Sequence, residues 1–229
     1  MILLKLGILN FFGAKEQDKW VVSEIFNNKK KGYFLDLAAT NGLLENNTYV
    51  LESFFNWDGI AIEGNSKFFT YLKKNRKCTC INEVVSGSVK NIEFLEDGPT
   101  GGIIGENFDN NLVKRFQYIE KSKNKIISKK TKKLEDILIQ ANAPKIIDYF
   151  SLAAEGSETD IMENFSYDKY IFLSLTVQRP TAELNKKLFE NGYVFIKNNK
   201  TIAFFVHKTI DNFDKIKKDK FVQLPRKSW

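Results

Sequence analysis

Apolar residues along the chain follow two spacings, one typical of buried strands and one typical of amphipathic helices. Short apolar runs predict strands at residues 33–37, 59–62, 77–85, 91–95, 125–128, 146–152 and 170–177. Helical spacing predicts helices at residues 20–26, 48–55, 66–75 and 134–140, with a last helix from Pro180 to Asn191-Gly192. Two further runs, 193–196 and 201–206, flank Lys-Asn-Asn-Lys and predict a closing antiparallel hairpin.

This alternation of strands and helices predicts an α/β fold with right-handed crossovers and a mostly parallel sheet. No repeat and no Pro/Gly/Ser-rich linker divides the chain, so we expect a single domain over residues 1–229. Within it we expect an N-terminal helical cover at 1–30, a sheet core at 31–207 and a basic tail at 208–229. Ligands of such sheets bind beyond the carboxyl ends of the strands, where the strand order reverses.

Charge and cysteine content narrow the function classes. Lys and Arg outnumber Asp and Glu by 35 to 28, with dense runs at 29–31, 121–133 and 215–220. These runs lack interleaved aromatic residues, which favours solvated helix ends and loops over a nucleic-acid site. Cys78 and Cys80 read as small apolar strand residues in a reducing, cytoplasmic setting, and with one histidine they cannot complete a zinc site.

The first twelve residues are apolar apart from Lys5 and Asn10, and are too short to span a bilayer. We expect this segment to be buried, with weak peripheral membrane attachment as the alternative. No other stretch of the sequence is long and apolar enough to cross a membrane.

The loop after the first strand carries the main chemical signal. It reads Asp36-Leu-Ala-Ala-Thr-Asn-Gly42, and its small residues let the backbone pass close to a ligand. Asp36 is placed to brace this loop or to accept hydrogen bonds from a cationic ligand. Glu63 ends the next strand, where a carboxylate is placed to bind the two hydroxyls of an adenosine ribose. Together these features predict a nucleotide-type cofactor site.

The order of many short segments makes this prediction more specific. They are Gln17-Asp18-Lys-Trp-Val21, Gly32-Tyr-Phe-Leu-Asp36, Gly42, Asn47-Thr48-x-x-Leu51-Glu52, Trp57-x-Gly59-Ile-x-Ile62-Glu63, Leu72-x-x-Asn75-Arg76-x-Cys78, Leu134-Glu-Asp-Ile-Leu138, Ala143-Pro144 and Ile147-Asp-Tyr-Phe-Ser-Leu-x-x-Glu155-Gly-Ser-Glu158. In this order the chain resembles the FkbM-type family of S-adenosylmethionine-dependent methyltransferases, from about residue 11 to residue 206. The resemblance implies a Rossmann-like class I methyltransferase fold with a seven-stranded sheet. It also implies O-methylation of a sugar, a glycan or another small hydroxylated acceptor.

Cofactor-binding residues carried over from the resemblance are Asp36, Ala38, Gly42, Asn47, Thr48, Glu63, Asn82, Val84 and Gln17. The family pattern after the first strand is close to D-x-G-A-N-D-G, and Ala38 stands where it has the first glycine. That methyl group is tolerable if φ is negative and costly if φ must be positive. The acceptor pocket is expected to be shaped by residues 86–130.

The catalytic end departs further from the family pattern. Ala153 replaces its Asp, and Gln178-Arg179-Pro180 replaces its frequent Glu-His-Asn. The remaining catalytic candidates are Glu155, Glu158 and Asp148. Glu155 is the candidate base or substrate ligand, and a cap for the helix that follows it is the alternative. His207, far along the chain from the cofactor loop, reads as structural.

Three functions follow from these residues. The first is an active S-adenosylmethionine-dependent O-methyltransferase without a metal site, acting on a small-molecule or glycan acceptor rather than on nucleic acid. The second is a catalytically degenerate relative that serves as a binding or regulatory protein, indicated by Ala38, Ala153 and Gln178. The third, suggested by the basic balance alone, is an RNA-binding or RNA-modifying protein.

Overall fold

Residues 10–225 are described in the computed structural model of the chain, so most of the N-terminal apolar segment lies outside the described residues. The helices are α1 (Gln17–Lys19), α2 (Tyr49–Phe55), α3 (Ser66–Asn75), α4 (Phe116–Lys121), α5 (Leu134–Gln140), α6 (Glu158–Glu163) and α7 (Ala182–Glu190), and a π-helical segment, Trp20–Ile25, continues α1. The strands are β1 (Tyr33–Leu37), β2 (Asp58–Ile62), β3 (Thr79–Ile81), β4 (Val84–Val85), β5 (Asn91–Leu95), β6 (Gly102–Ile103), β7 (Ile126–Lys132), β8 (Ile146–Leu152), β9 (Ile171–Gln178), β10 (Tyr193–Asn199) and β11 (Ile202–His207).

The main sheet has seven strands in the order β10-β11-β9-β8-β1-β2-β3. Neighbours from β9 to β3 pair in parallel, whereas β11 pairs antiparallel with both β9 and β10. This confirms the predicted Rossmann-like methyltransferase fold with its C-terminal antiparallel hairpin. The strand order reverses between β1 and β8, so the ligand crevice of this sheet lies at their carboxyl ends.

The region predicted as one strand over residues 77–85 is two strands in two different sheets, and that prediction was wrong. β3 ends the main sheet, while β4 belongs to a second sheet with the order β4-β7-β5-β6. The chain turns away at Asn82, whose side-chain amide donates to the Glu63 carbonyl oxygen at 2.7 Å. The second sheet therefore stands beside the crevice, next to the carboxyl end of β2.

Apolar side chains on the two faces of the main sheet form separate cores. Along β8, Tyr149 packs into one core with Trp20 and Phe204, while its neighbour Phe150 packs into the other with Phe172. All five are fully buried. Burial on both faces explains the continuous apolar runs that predicted the strands. Cys78 and Cys80 belong to the Trp20 core, as free thiols on one face.

A buried arginine ties the crevice loop to the sheet. The Arg76 guanidinium donates to Asn46 Oδ1 at 2.9 Å and to Thr48 Oγ1 at 3.0 Å, and it forms an ion pair with Glu52. Asn46 and Thr48 donate in turn to the Asp36 carboxylate, at 2.9 and 2.8 Å. The Arg76 side chain has no exposed surface, so its charge is stabilised by these groups rather than by water.

Gly42 makes this arrangement possible. Its φ is +78°, and a Cβ atom there would lie 2.7 Å from Arg76 Cγ and 2.8 Å from Leu72 Cδ1. Both the backbone angle and the contact with Arg76 therefore require glycine.

Within residues 10–225 no helix is long and apolar enough to cross a membrane. The same residues contain no group of three or more His, Cys, Asp or Glu side chains that could hold a metal ion.

Replacing Arg76 tests whether this buried network stabilises the fold. Arg76→Met leaves the Glu52 and Asp36 carboxylates without their cation. We expect it to lower the free energy of unfolding, measured in urea, by about 3–5 kcal/mol. Lys19→Met removes an ion pair to Glu16 that is exposed on both sides, and should leave stability essentially unchanged. Equal effects of the two substitutions would contradict this role of Arg76.

Candidate cofactor and acceptor site

A cavity lies between the carboxyl ends of β1 and β2 on one side and the second sheet on the other. Its enclosed volume is about 70 Å³. Its walls are mostly apolar with one buried carboxylate, and they are formed by Leu37, Ala38, Thr40, Glu63, Gly64, Asn65, Phe68, Glu83, Val84, Val85, Phe94, Gly98, Pro99, Gly101, Gly102, Ile103, Ala154, Glu155, Ser157 and Ile161. Of the predicted cofactor residues, Ala38, Glu63 and Val84 line it directly.

Glu63 is the buried carboxylate of this cavity. Its Oε2 accepts from the Thr40 backbone N–H at 2.8 Å, and its Oε1 accepts from the Asn65 N–H at 2.7 Å. Burial raises its pKa to about 7, although these two N–H donors favour the charged form. The carboxylate thus joins the β1 loop to the loop after β2 at the wall of the cavity.

The other residues predicted in the β1 loop support its shape. Asp36 is buried beneath the loop as an acceptor for Asn46 and Thr48, and burial raises its pKa. It is the brace of the loop, one of the two roles that the sequence left open. Asn47 donates to Ser151 Oγ on β8 at 2.9 Å. In the described part of the chain, Asn47 Oδ1 is buried without a hydrogen-bond partner.

Gln17 and Asn82 are near this loop system but do not line the cavity. Gln17 is buried and its Oε1 accepts from the Lys15 N–H at 2.9 Å. Asn82 holds the Glu63 carbonyl, as described above. The structure therefore places both residues as supports of the surrounding backbone.

Left-handed backbone occurs repeatedly at the strand ends that meet here. Ala38 has φ of +62° and Thr40 of +50° after β1, Glu155 has +47° after β8, and Arg179 has +41° after β9. Residues other than glycine rarely adopt these backbone angles, and backbone strain of this kind is concentrated at functional sites. For Ala38, the positive φ is the costly case of the two considered from the sequence.

Glu155 lines the cavity from the β8 side. Its Oε2 lies 3.9 Å from Arg179, and its carbonyl accepts from the Asp109 backbone N–H at 3.0 Å. Arg179 also forms an ion pair with Asp109. Gly156, with φ of +93°, allows this approach, because a Cβ atom there would lie 2.6 Å from the Asp109 nitrogen. Helix α6 begins only at Glu158 with Ser157 as its N-cap, so Glu155 is not a helix cap.

The other two catalytic candidates do not line this cavity. Glu158 is buried and accepts from the Ala154 N–H at 2.7 Å, and burial raises its pKa to about 8. Asp148 sits near the start of β8, where it accepts from the Tyr33 N–H at 2.9 Å and pairs with Lys29. That is the end of β1 opposite to the cavity, so the structure does not bring Asp148 together with Glu155.

A second cavity, with a volume of about 380 Å³, lies next to Glu155 and is lined in part by Arg179 and Gly156. Its lining is polar and carries more carboxylates than cations. The lining residues are Lys90, Glu106, Asn107, Phe108, Asp109, Lys114, Gly156, Glu158, Thr159, Asp160, Glu163, Arg179, Thr181 and Glu183. Part of this lining comes from residues 86–130, the region that the sequence predicts to shape the acceptor pocket, and that role stays a prediction.

Several residues of the site had no role in the sequence prediction. Phe94, Ile103 and Asp109 come from the region of poorest periodicity, and only the fold brings them to the crevice. Lys129 donates to the Gly64 carbonyl and pairs with Glu96 at 2.8 Å, which ties β7 to the loop after β2. Arg76 belongs to the segment Leu72-x-x-Asn75-Arg76-x-Cys78, and nothing else in the sequence indicates its role.

His207 lies outside both cavities. Its ring contacts Thr209 Oγ1 at 2.7 Å and the Asn191 carbonyl at 3.2 Å, and packs edge-on against Tyr193. Burial lowers its pKa. These contacts agree with the structural role predicted for it.

The chain matches no family model and no curated protein. Among solved structures it is similar to the human methyltransferase 10 domain containing protein, at 14% identity over 83% of this chain and 79% of that chain, with a TM-score of 0.43. It is similar to the N-terminal domain of human METTL16 in complex with SAH at 13% identity, covering 83% of this chain and 65% of that one, with a TM-score of 0.42. It is also similar to precorrin-6y C5,15-methyltransferase from Geobacter metallireducens, at 11% identity over 82% and 85%, with a TM-score of 0.40.

The chain thus spans just under two thirds of the METTL16 domain. At these identities and TM-scores the likenesses say nothing of activity. The fold assignment rests on the strand order of the main sheet, and the resemblance to the FkbM-type family stays a prediction.

The strain at Ala38 is testable by substitution. Ala38→Gly removes a half-buried methyl group at φ of +62°, and we expect it to raise the free energy of unfolding by about 0.5–1 kcal/mol. Ala39→Gly, at the next residue with ordinary φ and a buried methyl group, should lower it by about 1 kcal/mol. Urea denaturation measures both, and a loss of stability in Ala38→Gly would contradict the left-handed loop.

Proposed function

We propose that this protein is an S-adenosylmethionine-dependent methyltransferase that transfers a methyl group to a hydroxyl oxygen of a small polar acceptor, such as a sugar. The observation that carries the proposal is the buried Glu63 carboxylate at the end of β2. It faces the same cavity as the left-handed loop Ala38–Thr40 at the sheet's switch point.

The residue types around the cavity suit the parts of this cofactor. Glu63 would accept hydrogen bonds from the ribose hydroxyls, while Phe68, Val84 and Phe94 offer apolar walls to the adenine. Asn47 does not line the cavity, so its contact with the methionine part rests on the FkbM-type resemblance alone. These assignments follow the FkbM-type resemblance for Glu63, Asn47 and Val84.

The present volume sets a condition on binding. Pockets that hold ligands of this size occupy roughly 300–1,000 Å³, several times the 70 Å³ enclosed here. One wall, the segment from Gly98 to Ile103, belongs to a turn and the two-residue edge strand β6, so it has few hydrogen bonds to lose. Cofactor entry would therefore displace this segment while the β1 loop, fixed by Arg76, stays in place.

The second cavity supports a small hydroxylated acceptor. It presents hydroxyls from Thr159 and Thr181 and several carboxylates, all of which can accept hydrogen bonds from a sugar. A polyanion such as RNA would meet these carboxylates at close range, and like charges without screening repel. The acceptor class rests on this lining and on the family resemblance.

Glu155 would act on the acceptor hydroxyl. S-adenosylmethionine, when bound, supplies an activated methyl group, and in-line alignment with the acceptor oxygen provides much of the rate. Glu155 lines the first cavity and its neighbour Arg179 lines the second, so the Glu155 carboxylate would take the proton released by the hydroxyl as the methyl group leaves the sulfur and the new C–O bond forms. Arg179 would hold that carboxylate in position through their contact of 3.9 Å.

A second candidate is a catalytically degenerate protein that binds the cofactor without transferring its methyl group. It is favoured by the same cluster, because Arg179 and the Asp109 backbone engage Glu155 from the side on which an acceptor would approach. Ala153 also leaves the site one acid short of the family pattern.

Titration with S-adenosylmethionine tests the site. We expect calorimetry to detect binding, and Glu63→Ala to weaken it at least about tenfold, because a charged acceptor of two hydrogen bonds is lost. Glu120→Ala, at an exposed position on α4, is the control and should bind as the parent does. No binding at millimolar cofactor would reject the methyltransferase, and unchanged affinity in Glu63→Ala would reject the ribose site.

Release of S-adenosylhomocysteine then separates the two candidates. Mixing the protein with S-adenosylmethionine and a panel of sugars and glycans should yield the product with at least one of them if the protein is an enzyme. Cofactor binding without product across the panel favours the degenerate protein.

A further inference from the structure

Three large apolar side chains are exposed within five residues of one another, just before and at the start of α4. Val113 is 83% exposed, Phe116 60% and Leu112 47%. Val113 and Phe116 border the same shallow surface depression. Single exposed apolar residues need no explanation, but a contiguous group marks an interaction surface.

Basic side chains surround these three residues. The segment 112–123 holds four Lys or Arg residues against one carboxylate, Glu120, so it carries a net +3 of the chain's +7. Lys114, Lys121 and Lys123 are exposed, and the first two border the depression beside Val113. Phe116 and Tyr118 are the aromatic residues of this segment, and they lie before the basic run at 121–133 rather than within it.

The surface is held firmly to the rest of the protein. Ile119 is the buried residue of α4, and Ser122, which follows α4, donates to the Asp97 carboxylate. Lys125 pairs with the same carboxylate at 2.6 Å. The exposed apolar residues therefore lie on a segment that these contacts fix to the rest of the protein.

We propose that residues 112–123 form a peripheral binding surface for an anionic lipid bilayer. Leu112, Val113 and Phe116 would enter the boundary between headgroups and acyl chains, and the three exposed lysines would lie against anionic headgroups. Two of the three apolar residues are aliphatic and offer no ring on which a nucleic-acid base could stack, so a bilayer fits this surface better than single-stranded RNA. The proposal does not depend on methyl transfer.

Vesicle co-sedimentation of the full chain tests the proposal. We expect the protein to pellet with phosphatidylcholine vesicles that contain phosphatidylserine, and much less with pure phosphatidylcholine. Combined Lys114→Glu, Lys121→Glu and Lys123→Glu should weaken binding at least about 100-fold, since each charge near an anionic surface contributes about fivefold. Combined Val113→Ser and Phe116→Ser should weaken it at least about tenfold.

Controls at other exposed positions separate a specific surface from net charge. Lys67→Glu, Lys74→Glu and Lys208→Glu make the same change in charge, and Ile139→Ser removes another exposed apolar residue. Both control variants should keep most of the binding. No binding to anionic vesicles, or equal losses in the controls, would overturn the proposal. Binding of a single-stranded poly(U) probe that the triple lysine variant alone loses, without vesicle binding, would overturn it in favour of RNA.

Discussion

The buried guanidinium of Arg76 is the interaction on which the crevice depends. It lies after α3, yet its partners are in the loop after β1 and in α2, so one side chain joins two consecutive βα units. An unpaired charge at this depth would cost several kcal/mol, which means that the loop must keep the shape that supplies Asn46, Thr48 and Glu52 as partners. Ala38 and Thr40 hold their left-handed angles within that shape, and the Thr40 N–H then reaches Glu63.

The crevice is therefore rigid on one side and closed on the other by a less regular region. The β1 loop is fixed from below by Arg76 and Asp36. The opposite wall comes from the second sheet and the turn at 98–101, which has few backbone hydrogen bonds. The stretch 86–130 also carries Asp109 to the Glu155–Arg179 cluster and presents the exposed surface of α4. Both cavities and this outer surface thus include residues of 86–130, and movement of that stretch would affect all three.

The strands of the main sheet could be predicted because burial on both faces requires a continuous run of apolar residues in each strand. The bounds predicted for α3, α5 and β8 are those observed, since each is a single apolar segment between clear stop signals. Glu63 could be located because the end of a parallel strand is visible in the sequence. The place of Asp148 could not be predicted in the same way. It lies near the amino end of β8, whereas the cavity is at the carboxyl ends of the strands.

Long-range partnerships were beyond the sequence for a physical reason. Arg179 and Asp109 are 70 residues apart, and no periodicity links them. The split of residues 77–85 between two sheets depends on the pairing of β4 with β7, which is set by tertiary contacts rather than local propensity. The positive φ of Ala38 likewise could not be predicted from the residue itself, because alanine rarely adopts such an angle.

The most direct test of the account is a crystal structure of the protein grown with S-adenosylhomocysteine. We expect the ribose hydroxyls within hydrogen-bond distance of the Glu63 carboxylate, the β1 loop and Arg76 unchanged, and the segment from Gly98 to Ile103 displaced from its present position. Ligand bound away from Glu63, or a crevice that remains closed at saturating ligand, would contradict it.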